Sequence, residues 1–320
     1  MIRPWWIAVL VLSLCMMAPA AWAQSCSGSM ANMNFGSFSS ISPAGATATG
    51  NVNINCSGFA TPYARVCVSM GLPANSGTWS ARTLPGPSGA TLSWTIYQDA
   101  DFTKPWTSVY DQNGIYANYV DIPLSSGTGA AVLPYYAKVP GNQGVPAGGY
   151  AVTFGTNDAM LSYAGFSSNP PACTTALSSA GRFTFTVNAT VISDCLISAT
   201  NIDFGQVGLI TIPANSTGTI TTTCNKTTAY SVSLDAGAGA GSSVSSRKLT
   251  RNGGNETLAY ALYTDAARTR PWGDGSSGTT TVSGTGNGAA QTSTIYASLL
   301  APAAVPAGVY VDTVIATVTY

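Results

Sequence analysis

The chain has 320 residues, with 12 basic and 12 acidic side chains, no histidine, and 8% charged against 45% hydrophobic residues. With no histidine and with its acids scattered, it lacks the usual groups for acid–base catalysis or metal hydrolysis, so an enzyme is not expected. No glycine-rich phosphate motif follows a strand, so no cofactor is implied, and basic residues spread along a chain of zero net charge argue against nucleic acid.

Residues 1–23 read as an export signal. Arg3 supplies the positive start, Trp5 to Met17 form an apolar run too short to span a bilayer, and Ala21-Trp22-Ala23 is a small-x-small cleavage site. Seven cysteines less Cys15 in the leader leave six, an even number that in an exported chain predicts disulfides. Zinc is not expected, because there is neither a CxxC nor a histidine.

After the leader the pattern is that of short strands. Asn51–Cys56 alternates Val52, Ile54 and Cys56 with asparagines, and Tyr230–Leu234 alternates in the same way. Thr156 to Gly181 is expected to be a long connection. Its apolar residues Met160, Leu161, Tyr163 and Phe166 form a candidate adhesive loop, or else fold back as a small core under that loop. The clearest strand is Arg182–Val191, with Phe183, Phe185, Val187, Ala189 and Val191 on one face. It is assigned to the first domain as its own last strand. Trp106 and Trp272 occupy matching places and are read as structural. Trp79 and Trp94 are read as inward-packed or, less simply, as lining a glycan site. Asn188, Asn215, Asn225 and Asn255 begin glycosylation-type triplets that are attributed to chance.

The chain repeats itself. Cys26, Phe35-Gly36, Cys56, Tyr97, Pro105-Trp106 and Val145–Tyr150 recur in order as Cys195, Phe204-Gly205, Cys224, Tyr263, Pro271-Trp272 and Val305–Tyr310. The offset drifts from 169 at the first pair to 160 at the last. Six cysteines allow fifteen pairings. The repeat favours Cys26 with Cys56 and Cys195 with Cys224, leaving Cys67 with Cys173. Two all-β, immunoglobulin-like sandwiches are predicted in tandem, over residues 24–192 and 193–320. The second has no counterpart of Arg182–Val191. Its closing strand, with Val314, Ala316 and Val318 alternating, is matched to Gly149–Gly155 and is expected to border an open groove. Such an edge invites strand addition from another chain.

These motifs, seen twice behind an export signal, resemble the spore coat protein U domain family, used as pilins in archaic (Csu-type) chaperone–usher pili. The resemblance implies incomplete immunoglobulin-like domains, a periplasmic chaperone that lends a strand, an outer-membrane usher, and a next pilus subunit whose donor strand replaces the chaperone's. Only Gln24 and Ser25 precede Cys26, so no donor strand is expected there. The reading is then a fibre-end adhesin at the cell surface, with the second domain as acceptor and an apolar surface or a receptor as the tip's partner. The alternatives are a non-adhesive structural subunit and, further off, an extracellular carbohydrate-binding sandwich.

Overall fold

The computed structural model describes residues 23–79, 81–111, 117–174, 176–177, 179–301 and 303–320, so the export signal expected at residues 1–23 lies outside the described residues apart from Ala23. Alternating apolar and polar residues, cut by Gly, Pro and Asn turns, give β-strands throughout, and no α-helix occurs among the described residues.

The first sandwich contains β1 (Ser25–Met30), β2 (Met33–Phe38), β3 (Ala46–Ser57), β4 (Tyr63–Met70), β5 (Arg82–Pro85), β6 (Thr91–Tyr97), β7 (Asn118–Pro123), β8 (Gly129–Val139), β9 (Gly148–Phe166) and β10 (Ser179–Val191). One sheet has the order β1-β3-β8-β6-β5 and the other β2-β10-β9-β4-β7. β10 therefore lies inside its sheet, antiparallel to β9 and parallel to β2. Its alternating Phe183, Phe185, Val187, Ala189 and Val191 are all buried in the core between the sheets. Phe185 stacks on Phe154 with centroids 4.4 Å apart.

The second sandwich contains β11 (Cys195–Ala199), β12 (Ala214–Cys224), β13 (Ala229–Leu234), β14 (Arg247–Arg251), β15 (Thr257–Tyr263), β16 (Val282–Thr285), β17 (Ala290–Leu299), β18 (Tyr310–Val311) and β19 (Ala316–Thr319). Its larger sheet runs β11-β12-β17-β15-β14-β18. The other is a three-stranded remnant, β16-β13-β19, with β19 at the edge.

The disulfides are Cys26–Cys56, Cys67–Cys173 and Cys195–Cys224. The first and third each join directly facing residues of neighbouring strands. Trp106 and Trp272 are fully buried, and their indole N–H groups donate to the carbonyls of Val68 and Val232 at 2.8 and 3.0 Å. Trp94 is buried among Phe35 and Phe154, so a glycan platform is ruled out for it by burial.

The two sandwiches touch. Asn225 is fully buried, and its Nδ2 donates to Ser40 Oγ at 2.6 Å and to the Val145 carbonyl at 3.1 Å. The Lys226 N–H donates to the Gly144 carbonyl at 2.9 Å. This burial is incompatible with a glycan on Asn225.

Candidate functional site: the open edge of the second sandwich

The two copies can be superimposed through their ladders. Met70 faces Ala159 in the first, and Leu234 faces Ala316 in the second. The last strand of the second copy thus matches Ala159–Ser162, and not Gly149–Gly155 as the motif spacing suggested. The physical reason is a bulge. Between Phe183 and Phe185 the register on β9 jumps from Ala159 to Phe154, so residues 155–158 leave the ladder. The second copy has a single residue, Ile315, where the first has those four. Phe154 then corresponds to Val314, Leu161 to Val318 and Tyr163 to Tyr320.

Two segments that are strands in the first copy are not strands in the second. β2 pairs with β10 and with no other strand, and its counterpart around Phe204 has no regular structure. The first half of β9 likewise pairs with β10; in its counterpart Tyr310–Val311 pair with β14 of the larger sheet instead, and residues 312–314 are irregular. Both sequences can form strands; what they lack is the ladder partner that would take up their N–H and C=O groups.

Between these two segments lies a cleft of about 600 Å³ lined by Ala199, Ile202, Phe204, Ile220, Leu234, Tyr260, Leu262, Ile295, Val314 and Ala316, among others. A second hollow of about 490 Å³ adjoins residues 207–210 and Tyr310. Burial shows the same vacancy in the core. Met33 and Phe154 are 0% and 1% exposed, whereas their counterparts Ile202 and Val314 are half-buried. Val318 is also half-buried, and Leu209 beside the groove is 80% exposed.

The groove's rims are held by side chains where the ladder is missing. Asp312 Oδ2 accepts the Tyr260 hydroxyl at 2.6 Å, and Oδ1 accepts the N–H groups of Ala238 and Thr313 at 2.7 and 2.8 Å. Asp235 Oδ1 accepts the N–H groups of Gly237 and Ile315 at 3.0 and 2.9 Å. Burial, reinforced by the bond to Asp312, pushes the Tyr260 hydroxyl well above the ordinary tyrosine range. Beneath them the buried Arg247 donates to the carbonyls of Leu234 and Asp235, as the buried Arg82 donates to those of Met70 and Gly71 in the first sandwich. Burial lowers the pKa of Arg82 to about 10, which still leaves it cationic at neutral pH. None of these polar residues was singled out from the sequence. The matching of Arg82 with Arg247 across the repeat was the available signal.

The four residues proposed as an adhesive loop do not form one. β9 runs unbroken in the chain through Phe166, and Leu161 and Tyr163 are in the core, 0% and 5% exposed. Met160 is partly covered at its pairing with Arg182. Alternation across the sheet forces this outcome, because Ala159, Leu161 and Tyr163 share the inward face. Phe166, half-buried like Met160, stacks on the exposed Tyr63 with centroids 5.4 Å apart. Nearby on the same sheet Arg65 pairs with Asp121 at 2.6 Å and lies 4.4 Å from the ring centroid of the exposed Tyr119. Arg65 also donates to the Pro171 carbonyl, in the segment that Cys67–Cys173 ties to β4.

Over 92% of its length the chain is similar to the whole of a chain in the CsuC–CsuE chaperone–tip adhesion subunit pre-assembly complex of archaic chaperone-usher Csu pili of Acinetobacter baumannii, with a TM-score of 0.53 and 18% identity. A weaker likeness, with a TM-score of 0.34 and 11% identity, covers 92% of the chain and 94% of the CupB6 tip adhesin from Pseudomonas aeruginosa. No curated protein matches the sequence. The Spore Coat Protein U domain matches residues 12–156 and 182–317, nearly the whole chain in two copies, and the chain belongs to that family.

Proposed function

We propose that this protein is a non-enzymatic, exported subunit of a chaperone–usher pilus, placed at the fibre tip, where its first domain attaches to surfaces and its second accepts a donor strand. The observation that carries the reading is the contrast between the sandwiches. β10 fills the first groove, while the equivalent groove in the second lies open between Phe204 and Val314. A self-complete domain beside an acceptor domain is suited to ending a fibre rather than to extending it. Backbone groups along β19 and the segment around Phe204 offer ladder bonds to an added strand, and the cleft offers pockets for its alternate side chains. The similar Acinetobacter structure is itself a chaperone–tip adhesion subunit complex, which supports a periplasmic chaperone as the first partner. An outer-membrane usher and the next pilus subunit would follow in assembly.

The adhesive face is assigned to the end of the first domain away from the junction. Val145, just before β9, touches the second domain through Asn225, so Phe166 at the other end of β9 is distal. There Tyr63 and Tyr119 are exposed, and the half-buried Phe166 stacks on Tyr63, beside a segment stiffened by Cys67–Cys173, which suits an apolar surface.

Two measurements test this. Expressed alone in a periplasm, the mature chain should aggregate or be degraded, and the cognate chaperone should recover it as a one-to-one complex; a stable monomer with no chaperone would refute the acceptor role. Pili carrying the double variant Tyr63→Ser with Phe166→Ser should assemble normally but attach poorly to polystyrene. Undiminished attachment by those pili would remove the tip-adhesive face from the reading.

A further inference from the structure

The first sandwich holds a complete occupant for the groove that the second leaves open, so differences in lining report what the second will accept. This inference rests on the reading that the groove takes a strand from another chain. In the first sandwich β10 runs alongside β1 in the same direction. Gly181 lies against the Cys26 carbonyl, and Phe183 lies over Gly28. A Cβ on Gly28 would come within 3.1 Å of the Phe183 ring and 3.0 Å of Leu161. Glycine is therefore what makes room for Phe183.

Two residues after the first cysteine of the second copy stands Ile197 in place of Gly28, and its side chain packs against the core. The space used by Phe183 is thus already taken. The loss of one methylene where Leu161 becomes Val318 does not return a phenylalanine's volume. One step further along, the walls change in the opposite sense. Phe185 stacks on Phe154, and continuing the register that sets Gly181 at Cys26 and Phe183 at Gly28 by two residues assigns it to the level of Met30. Their counterparts are Val314 and Ala199, and both line the 600 Å³ cleft.

We propose that the strand filling this groove inverts the size order of β10. It carries a small residue (Gly, Ala or Ser) where β10 has Phe183, and a bulky apolar residue where β10 has Phe185. A second copy of this chain is then excluded as donor, because its β10 would drive Phe183 into Ile197. The two grooves of one polypeptide are non-interchangeable, which prevents the first domain's strand from closing a neighbour's second domain.

The test appends strands to the mature full chain after Tyr320 through a Gly/Ser linker of about a dozen residues. In the first sandwich Tyr163, the counterpart of Tyr320, faces Ser179 at the start of β10, so an appended strand needs only to turn back. Four fusions are compared: an unaltered copy of Arg182–Val191, a copy with F183A, a copy with F183A and F185A, and the unaltered copy on an Ile197→Gly background. The readouts are amide exchange of residues 202–208 and 316–319 and the unfolding midpoint of the second domain. The F183A copy should protect those amides and raise the midpoint by at least about 5 °C more than the unaltered copy does, since overpacking of one ring is costly. Removing Phe185 as well should abolish the gain, and Ile197→Gly should let the unaltered copy protect. Equal protection by the unaltered and F183A copies would overturn the size inversion while leaving the acceptor reading intact. Protection by none of the four would overturn the acceptor reading, and the inversion with it.

Discussion

Phe185→Ala is the sharpest probe of the difference between the two domains. The ring is 3% exposed and stacks on Phe154 at 4.4 Å, with planes 15° apart, and on Phe183 at 6.1 Å. Truncating a core phenylalanine costs about 3–5 kcal/mol, the cavity and the lost stacking included. Domains of this kind hold only about 5–15 kcal/mol, so the first sandwich should lose roughly a fifth of its stability at the least and most of it at the other end of the range. At about 2–4 °C per kcal/mol, its midpoint should fall by roughly 6–20 °C. Val314→Ala, at the position equivalent to Phe154, should behave differently. The side chain is half-buried beside the empty cleft, and its loss in the free chain should cost about 1 kcal/mol or less. Calorimetry of the mature chain released from its chaperone and kept dilute enough to stay unaggregated, with domain-resolved amide exchange to assign the transitions, measures both. If Phe185→Ala shifts the first domain by less than about 1 kcal/mol, β10 is not an integral part of that core and the contrast between the grooves fails.

Three further outcomes are expected. Replacing Cys67 and Cys173 by serine opens a link spanning 106 residues and should cost about 4–5 kcal/mol on loop-entropy grounds, with new proteolytic sites in the segment after Phe166; unchanged urea midpoints and cleavage would contradict this. Asn225→Ala removes bonds to Ser40 and Val145 and leaves Ser40 buried with one partner fewer, so the junction should loosen, seen as a broader spread of inter-domain distances by spin labelling. Asp99 is held below the ordinary aspartate range, first by the Thr103 hydroxyl and then by backbone N–H groups of Lys104 and Thr103. A depressed folded pKa gives stability that is present above the unfolded value and lost as pH falls through the folded one. Thr103→Val should therefore raise the Asp99 pKa in an NMR titration and move the onset of acid sensitivity upward; an unmoved titration would discount the hydroxyl's part.

What could be seen in the sequence was what depends on neighbours along the chain. Alternation exposed Phe183 to Val191 as a strand, and cysteines at matching places identified β1–β3 and β11–β12 as equivalent pairs. The errors came where pairing partners are distant. Gly155–Asp158 has turn composition, which locally predicts a break and a loop beyond it, yet pairing to both β4 and β10 carries the strand through the bulge to Phe166. The alternation of Ala159, Leu161 and Tyr163 was the signal for inward packing. In the second copy the sequence around Phe204 resembles β2, and nothing local says that it will not be a strand. Its state depends on whether a tenth strand is present, which is a property of the sheet rather than of those residues.

An open groove is useful only if it stays open, and apolar walls in water tend to close on each other. Three features oppose that here. The Cys195–Cys224 bond fixes β11 to β12, so the near wall keeps its place on the larger sheet. On the far wall, Asp312 is held by the hydroxyl of Tyr260 and by N–H groups of the loop after Asp235, while Asp235 takes up the N–H of Ile315. These bonds substitute for the missing ladder on the inner side of the segment and leave β19 with an unpaired outer edge. Underneath, Arg247 ties Leu234 and Asp235 to the opposite sheet, so the floor cannot slide. In the first sandwich the residue in place of Asp312 is Val152, buried against β10, because there the ladder does the holding. Polar anchoring in the second domain thus stands where hydrophobic closure stands in the first. Rims set in this way would reduce the ordering entropy lost on entry of the strand proposed above, so that more of the burial energy would remain to hold it.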